Sequence, residues 1–257
     1  MRMQRWVQAA TLAAAAVGPA GAAGGGGVSV GAAGDAVDML PTFKAVYAAT
    51  WNGIKLGEIT LELEREGTYC YRYQSHARPR AMVRMFYGEP AETSHFCLVD
   101  GAVKPVRFRF DHGDDSYELD FDTVDSVVRG AGETRELPDN AQDRFGMHQA
   151  VRAWIMRQAP EPPEGDFTFS MVEDDRIAEY TLRVTGEESV KVPAGSYDAF
   201  LLERIDPRRI GRFWVAPGAD YMPVKVENGK DGDVQLTMEL LRYTAKDDAP
   251  EASAGES

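Results

Sequence analysis

The sequence predicts a mainly β protein, an antiparallel sheet curved or rolled into a half-barrel, with one mid-chain amphipathic helix packed against it. Three observations predict it. Apolar and polar residues alternate along most of the chain, an Asn-Gly pair interrupts the first alternation, and a single segment repeats its apolar residues at helical spacing.

The chain opens with an export pattern. Arg2 and Arg5 form a positive start, the run from Val7 to Val17 is apolar and Ala-rich, and Ala20-Gly21-Ala22 offers the small residues of a cleavage site. The apolar run is about half of the ~20 residues a membrane-spanning helix needs. Residues 1–22 are therefore expected to be a cleaved signal peptide, residues 23–40 a Gly- and Ala-rich leader, 41–244 a single β-rich domain, and 245–257 a disordered acidic tail. The expected compartment is the periplasm. With cysteines only at 70 and 97, no lipid-attachment cysteine lies near the cleavage region.

Strands come next in order. Phe43, Ala45, Tyr47, Ala49 and Trp51 share one strand face, Asn52-Gly53 suits the positive φ angles of a two-residue hairpin turn, and Ile59, Leu61 and Leu63 line the return strand. Tyr69, Tyr71 and Tyr73 alternate with Cys70, Arg72 and Gln74. Phe108 and Phe110 follow, then Tyr117, Leu119 and Phe121, then Phe167, Phe169 and Met171, then Tyr180, Leu182 and Val184. Near the end, Val224 and Val226 precede Asn228-Gly229, and Val234, Leu236, Met238 and Leu240 follow, which predicts a hairpin with a loop longer than two residues. One-faced alternation suits antiparallel sheet covered on one side.

The helix is expected over 144–158. Asp143 is placed to cap it, Met147, Val151, Trp154 and Ile155 form the apolar stripe, and Arg144, Gln149, Arg152 and Arg157 lie off that stripe. Pro160, Pro162 and Pro163 end it. A short second helix around 79–86 competes with a loop there.

Charge and motifs narrow the chemistry. The net charge of −13 becomes −15 once residues 1–22 are gone, which repels nucleic acid and argues against electrostatic docking on anionic lipid. No metalloprotease, nucleophile-elbow, phosphate-loop or dinucleotide-loop signature is present. Asp111-His112-Gly113-Asp114-Asp115 has turn composition rather than the spacing of a metal site, and Glu173-Asp174-Asp175 reads as a solvated hairpin loop. In Ser75-His76 and Ser94-His95 the neighbouring side chains point to opposite strand faces, so neither makes a nucleophile–base pair. No catalytic residue, metal or cofactor is assigned. Cys70 and Cys97 form either a disulfide between neighbouring strands or two buried thiols.

Aromatic residues carry what remains. Tyr47, Trp51, Tyr71, Tyr73, Phe108, Trp154 and Trp214 either fill a core or line a cavity for an apolar ligand. Arg78, Arg80 and Arg84 could contact an anionic head group at its mouth.

Several stretches resemble a domain-of-unknown-function family of secreted Gram-negative proteins. They are Phe43 to Gly67 with its Trp51-Asn52-Gly53 turn, Tyr180 to Glu203 with Val192-Pro193-Ala194-Gly195-Ser196-Tyr197-Asp198, and Phe213 to Tyr243 with Tyr221-Met222-Pro223-Val224. The resemblance covers about residues 41–243 and implies export, a β-rich fold and no assigned activity. The segment Phe213-Trp214-Val215-Ala216-Pro217 and the hairpin after it are also similar to the closing strands of lipoprotein-localisation carriers, periplasmic half-barrels that hold acyl chains on a concave face. The combined expectation is a non-catalytic periplasmic binding or carrier protein for an apolar or lipid-like envelope molecule, without stable membrane insertion. The alternatives are an interaction module that scaffolds an envelope complex and a hydrolase whose site assembles from distant residues.

Overall fold

The computed structural model describes residues 39–246, except residue 131. The expected signal peptide, most of the leader and residues 247–257 lie outside the described residues.

Fifteen strands make one sheet among the described residues. The first half of the chain contributes β1 (Phe43–Trp51), β2 (Ile54–Arg65), β3 (Cys70–Pro79), β4 (Ala91–Val99), β5 (Ala102–Asp111), β6 (Tyr117–Asp122), β7 (Val127–Gly130) and β8 (Glu133–Glu136). After β9 (Ala141–Asp143) come β10 (Asp166–Val172), β11 (Ile177–Val192), β12 (Gly195–Arg204), β13 (Arg209–Ala216), β14 (Met222–Lys230) and β15 (Asp233–Ala245). Helix α1 (Ala81–Tyr87) lies between β3 and β4, and α2 (Met147–Met156) between β9 and β10.

The first and last strands meet in the middle of the sheet. β1 pairs with β15 from Phe43↔Ala245 to Trp51↔Leu236, and the two halves of the chain run outward from that seam to β8 and β9. Neighbours are antiparallel throughout, except that β9 pairs parallel to β10. The sheet stays open, because β8 and β9 do not pair. Curvature nevertheless brings the ends close. Arg135 of β8 donates to the carbonyl of Glu173 beyond β10 at 2.7 Å, and Gln142 of β9 donates to the carbonyl of Val103 in β5 at 2.9 Å.

The apolar rows of the longer strands face the hollow of this curve, where α2 is packed. Phe43, Leu63, Tyr71, Tyr73, Phe108, Leu119 and Leu240 are fully buried there. Leu40 is buried as well, so packing begins inside the expected leader. Lys246 still donates its backbone N–H to the Thr42 carbonyl at 2.9 Å, just past the expected domain boundary.

Five local expectations need correction. The helix spans Met147–Met156, not 144–158, and Gly146 occupies its N-cap position. The Asp143 carboxylate instead accepts from the amides of Phe145 at 2.9 Å and Gly146 at 2.6 Å, which closes the turn before the helix. Because sheet surrounds α2, His148, Gln149 and Arg152 are buried along with the apolar stripe, and Arg144 is buried just ahead of it. The final hairpin turns at Asp231 and Gly232, with φ of 53° and 89°, a two-residue loop; Asn228-Gly229 lies inside β14 at a bulge. Glu173 is buried against Arg176 rather than solvated.

An apolar cleft beneath the first helix

The concave face of β1, β2 and β3 is not filled along its whole length. Beside α2 it carries large side chains, Tyr47, Leu61 and Tyr73. Further along the same rows the residues shrink to Ala49 and Ala77, and small side chains there leave space above the sheet.

The turn at Asn52 and Gly53, with φ of 44° and 79°, fixes one end of that space. The loop from β3 to β4 folds over it. Arg80 donates its backbone N–H to the Leu56 carbonyl at 2.8 Å, so α1 starts tied to β2. Gly57 allows the crossing: its φ is +152°, and a Cβ there would stand 2.3 Å from the Arg78 carbonyl oxygen. At the far end of α1, the Tyr87 carbonyl lies 2.6 Å from Nε2 of His112.

The result is a cleft of about 290 Å³. Ala49, Trp51, Leu56, Ile59 and Ala77 form its floor and walls, Met82, Val83 and Phe86 its roof, and Glu58 is the one charged residue of the lining.

Of the aromatic residues expected to line a cavity, Trp51 alone reaches this cleft. Tyr47 is buried and donates to the Pro223 carbonyl at 2.8 Å. The Tyr71 hydroxyl accepts from the Leu40 amide at 2.9 Å, and Tyr73 stacks on Phe145 with ring centroids 4.0 Å apart. Phe108 lies 5.5 Å from the Arg144 guanidinium, Trp154 rests on Phe167, and Trp214 lies under the Lys225 ammonium at 4.5 Å. These six belong to packed regions outside the cleft. Arg78 on β3, Arg80 at the N-cap of α1 and Arg84 on α1 are exposed and do not line the cleft.

Every lining residue but Trp51 was missed in the sequence, among them Leu56, Ile59, Met82, Val83, Phe86 and the two alanines. A signal for them existed in the apolar content of 81–87 and in alanines continuing rows that elsewhere hold tyrosine.

Two buried polar groups lie beside α2, away from the cleft. In the first, Asp143 accepts from Ser94 Oγ at 2.7 Å, and Glu92 pairs with Arg144 at 2.6 Å, both nearly inaccessible. Burial pushes the carboxyls of Glu92 and Asp143 upward, against the pull of Arg144 on Glu92 and of the donated amide bonds on Asp143. The Arg144 guanidinium also lies 4.5 Å from the Phe110 ring. In the second, Arg152 donates to the carbonyls of Asp220 and Pro41 and to Gln149. The buried His148 imidazole is pushed down to about 3 by desolvation.

Ser94 points into the buried interior while His95, its neighbour, lies on the other face beside Glu66 at 2.8 Å, as strand geometry requires. Asp114 and Asp115 sit in a short 3-10 turn, and Asp111 pairs with Arg109. Among the described residues, no group of three or more His, Cys, Asp or Glu stands where it could hold a metal ion. Cys70 and Cys97 face each other across β3 and β4 and form a disulfide with S–S 2.03 Å.

No curated protein matches the sequence. Solved structures are similar at low level. MucB matches at 12% identity and TM-score 0.36, covering 84% of this chain and 57% of its own. The MucA/MucB complex of Pseudomonas aeruginosa matches at 13% and 0.38, covering 81% and 53%. A Bacteroides fragilis protein with a YmcC-like fold matches at 15% and 0.35, covering 83% and 100%. The chain spans only about half the length of the MucB chains it matches. Similarity at this level carries nothing about ligand or activity. The sequence pattern of one family, by contrast, runs through nearly all the described strands from β1 to β15: the chain belongs to the family described as protein of unknown function (DUF3108), matched over residues 46–240.

Proposed function

We propose that the chain is a non-catalytic binding or carrier protein of the periplasm, exported by a cleaved signal peptide, which holds an apolar or lipid-like envelope molecule in the cleft beneath α1. The cleft itself carries this reading. Its volume of about 290 Å³ falls just below the ~300–1,000 Å³ range of small-molecule sites, which suits a slender ligand. Its walls are alanine, leucine, isoleucine, methionine and aromatic side chains, which gain by shedding water and offer a polar ligand almost nothing. A slender alkyl chain suits such a slot, since each buried methylene contributes about 0.8 kcal/mol.

The disulfide supports the compartment, because paired thiols persist where the surroundings oxidise them. The buried Ser94–Asp143 pair does not support the hydrolase reading. Its acceptor oxygens are committed to backbone amides and the serine, and it lies outside the cleft.

Trp51 gives the test a reporter. Titration with a brominated fatty acid should quench its emission saturably. Ala77→Leu, which thickens the floor, and Val83→Glu, which charges the roof, should each abolish the saturable part. Equal quenching in wild type and both variants, or none in the wild type, would overturn the reading. Extraction of the protein from periplasm, followed by mass spectrometry, would then identify the natural occupant.

A further inference from the structure

The same end of the molecule is also apolar on its outer side, where residues of the cleft rim stay exposed to solvent. Met82, Met85 and Phe86 of α1 are 76%, 74% and 64% exposed, and Ile54 beside the β1–β2 turn is 65% exposed. Ile54, Met82 and Phe86 share the cleft rim, and Met85, which does not line the cleft, lies one helical turn from Met82 and next to Phe86 on α1. An alkyl ligand inside the cleft would leave Met85 in water.

The charge of the β3–α1 segment on this edge runs opposite to that of the whole chain, and the rim carboxylate Glu58 is paired with Arg242 at 3.7 Å. The net charge is −13, yet residues 76–88 contain three arginines and no carboxylate. Elsewhere Arg72, Arg107, Arg129, Arg183 and Arg212 each pair with a carboxylate. Around α1, among the described residues, the one such contact is Arg84 to Glu89 at 3.4 Å, between two well-exposed side chains. Lys55, Arg78 and Arg80 are exposed near the same rim.

We propose that this edge, the β1–β2 turn with the outer side of α1, docks peripherally on an anionic bilayer surface. Met82, Met85, Phe86 and Ile54 enter the boundary between head groups and acyl chains, while Lys55, Arg80 and Arg84 extend along it to the lipid phosphates. Whole-chain repulsion does not prevent this. Charges are screened within about 8 Å at physiological salt, so a membrane close to the edge senses mainly the local arginines. The same charge disfavours a second copy as occupant, since a symmetric pair would bring two cationic edges together. Docking needs no spanning segment, and no helix of the described residues is long and apolar enough to cross a membrane. The inference stands whether or not the cleft holds a ligand.

The test is flotation of the full chain, wild type and variants side by side, with vesicles of phosphatidylcholine alone or with about one-third phosphatidylglycerol. Met85→Ser with Phe86→Ser removes apolar area from exposed positions and should lower partitioning into the anionic vesicles about tenfold or more. Arg80→Glu with Arg84→Glu should abolish the preference for anionic vesicles and its dependence on salt. Circular dichroism and melting curves should match wild type in both variants, because all four side chains are exposed. As a reporter, Met85→Trp should shift its emission to the blue on vesicle addition. Equal partitioning of wild type and variants overturns the proposal. So does concentration-dependent dimerisation in sedimentation velocity that the same substitutions remove while vesicle binding is absent.

Discussion

Arg152 of α2 donates from Nε to the carbonyl oxygen of Asp220 at 2.6 Å, across 68 residues of sequence. Its Nη1 reaches the Pro41 carbonyl at 3.0 Å and Gln149 at 3.2 Å. Tyr243 donates to the Asp220 carboxylate at 2.5 Å, and Asp220 itself sits at a left-handed φ of 49°. One buried cation thus ties the helix to the start of the domain and to the β13–β14 turn. Arg152→Met strips donors from buried acceptors and should cost about 3 kcal/mol in urea unfolding. Arg152→Lys should fall between, since one ammonium cannot reproduce the guanidinium fork. A loss under about 1 kcal/mol for the methionine variant would show that these bonds do not anchor α2.

Gly146 sits against the Ser94–Asp143 pair. A Cβ at 146 would meet Asp143 Oδ2 at 2.7 Å and Ser94 Oγ at 2.9 Å. Gly146→Ala should therefore destabilise by about 2 kcal/mol, more than Ser94→Ala at about 1 kcal/mol. In the double variant the two losses should not add, because the alanine at 94 frees the space the new methyl needs. Thermal or urea melts of the three variants check this.

His148 makes stability pH-dependent. Its folded value is lowered from 6.5 to about 3, so the unfolded chain binds the proton more readily between those limits. The stabilisation is present above pH 6.5 and is lost as pH falls toward 3, at up to roughly 1.4 kcal/mol per pH unit. The raised carboxyls of Glu92 and Asp143 act in the opposite direction over the acid range, since the folded state holds their protons longer. The difference between wild type and His148→Phe isolates the histidine. The variant should lose less stability between pH 6.5 and 4, and parallel curves would exclude the effect.

Gly57 controls how α1 is set over the cleft. Any side chain at 57 must push the Arg78 carbonyl away, opening β2 from β3 where Gly57 opposes Pro79. Gly57→Ala should expose the Arg80 amide, now bonded to the Leu56 carbonyl, to faster hydrogen exchange. Amides at the Phe43–Ala245 end of the β1–β15 seam should keep their protection, because the seam adjoins the crossing only at its other end, where Ala49 lies between Gly57 and Met238.

Cys70 and Cys97 should both be unreactive toward alkylating reagents in chain recovered from the envelope, and peptide mapping should link 70 to 97. Chain made without residues 1–22, and so retained in a reducing cytosol, should react at both. Two free thiols in the exported chain would refute the pairing.

How far the sequence reaches differs by element. β1 and β2 are legible because Phe43 to Leu63 alternate cleanly about an Asn-Gly turn. β7, β8 and β9 are short, and β9 is buried along its whole length, so no two-residue period marks them. The hairpin before β15 is misread because Asn228-Gly229 has turn chemistry yet serves as a bulge, while Asp231-Gly232 makes the turn. For the cleft, Trp51 was within reach; for Met82 and Phe86 the only signal was the apolar content of 81–87, because a seven-residue helix is too short to establish a period.

By itself the sequence determined that this chain forms a curved, one-sided sheet, since alternation is local and each apolar row must be buried somewhere. The sequence also set the mid-chain helix against that face, and tertiary structure alone decided how much of the helix is enclosed and what roofs the rest. Three polar residues of α2, His148, Gln149 and Arg152, lie buried because the sheet surrounds the helix and distant carbonyls supply partners for Arg152. The cleft exists because α2 stops short of Ala49 and Ala77 and α1 roofs what is left. Those are facts of where segments meet, and no periodicity within a segment encodes them.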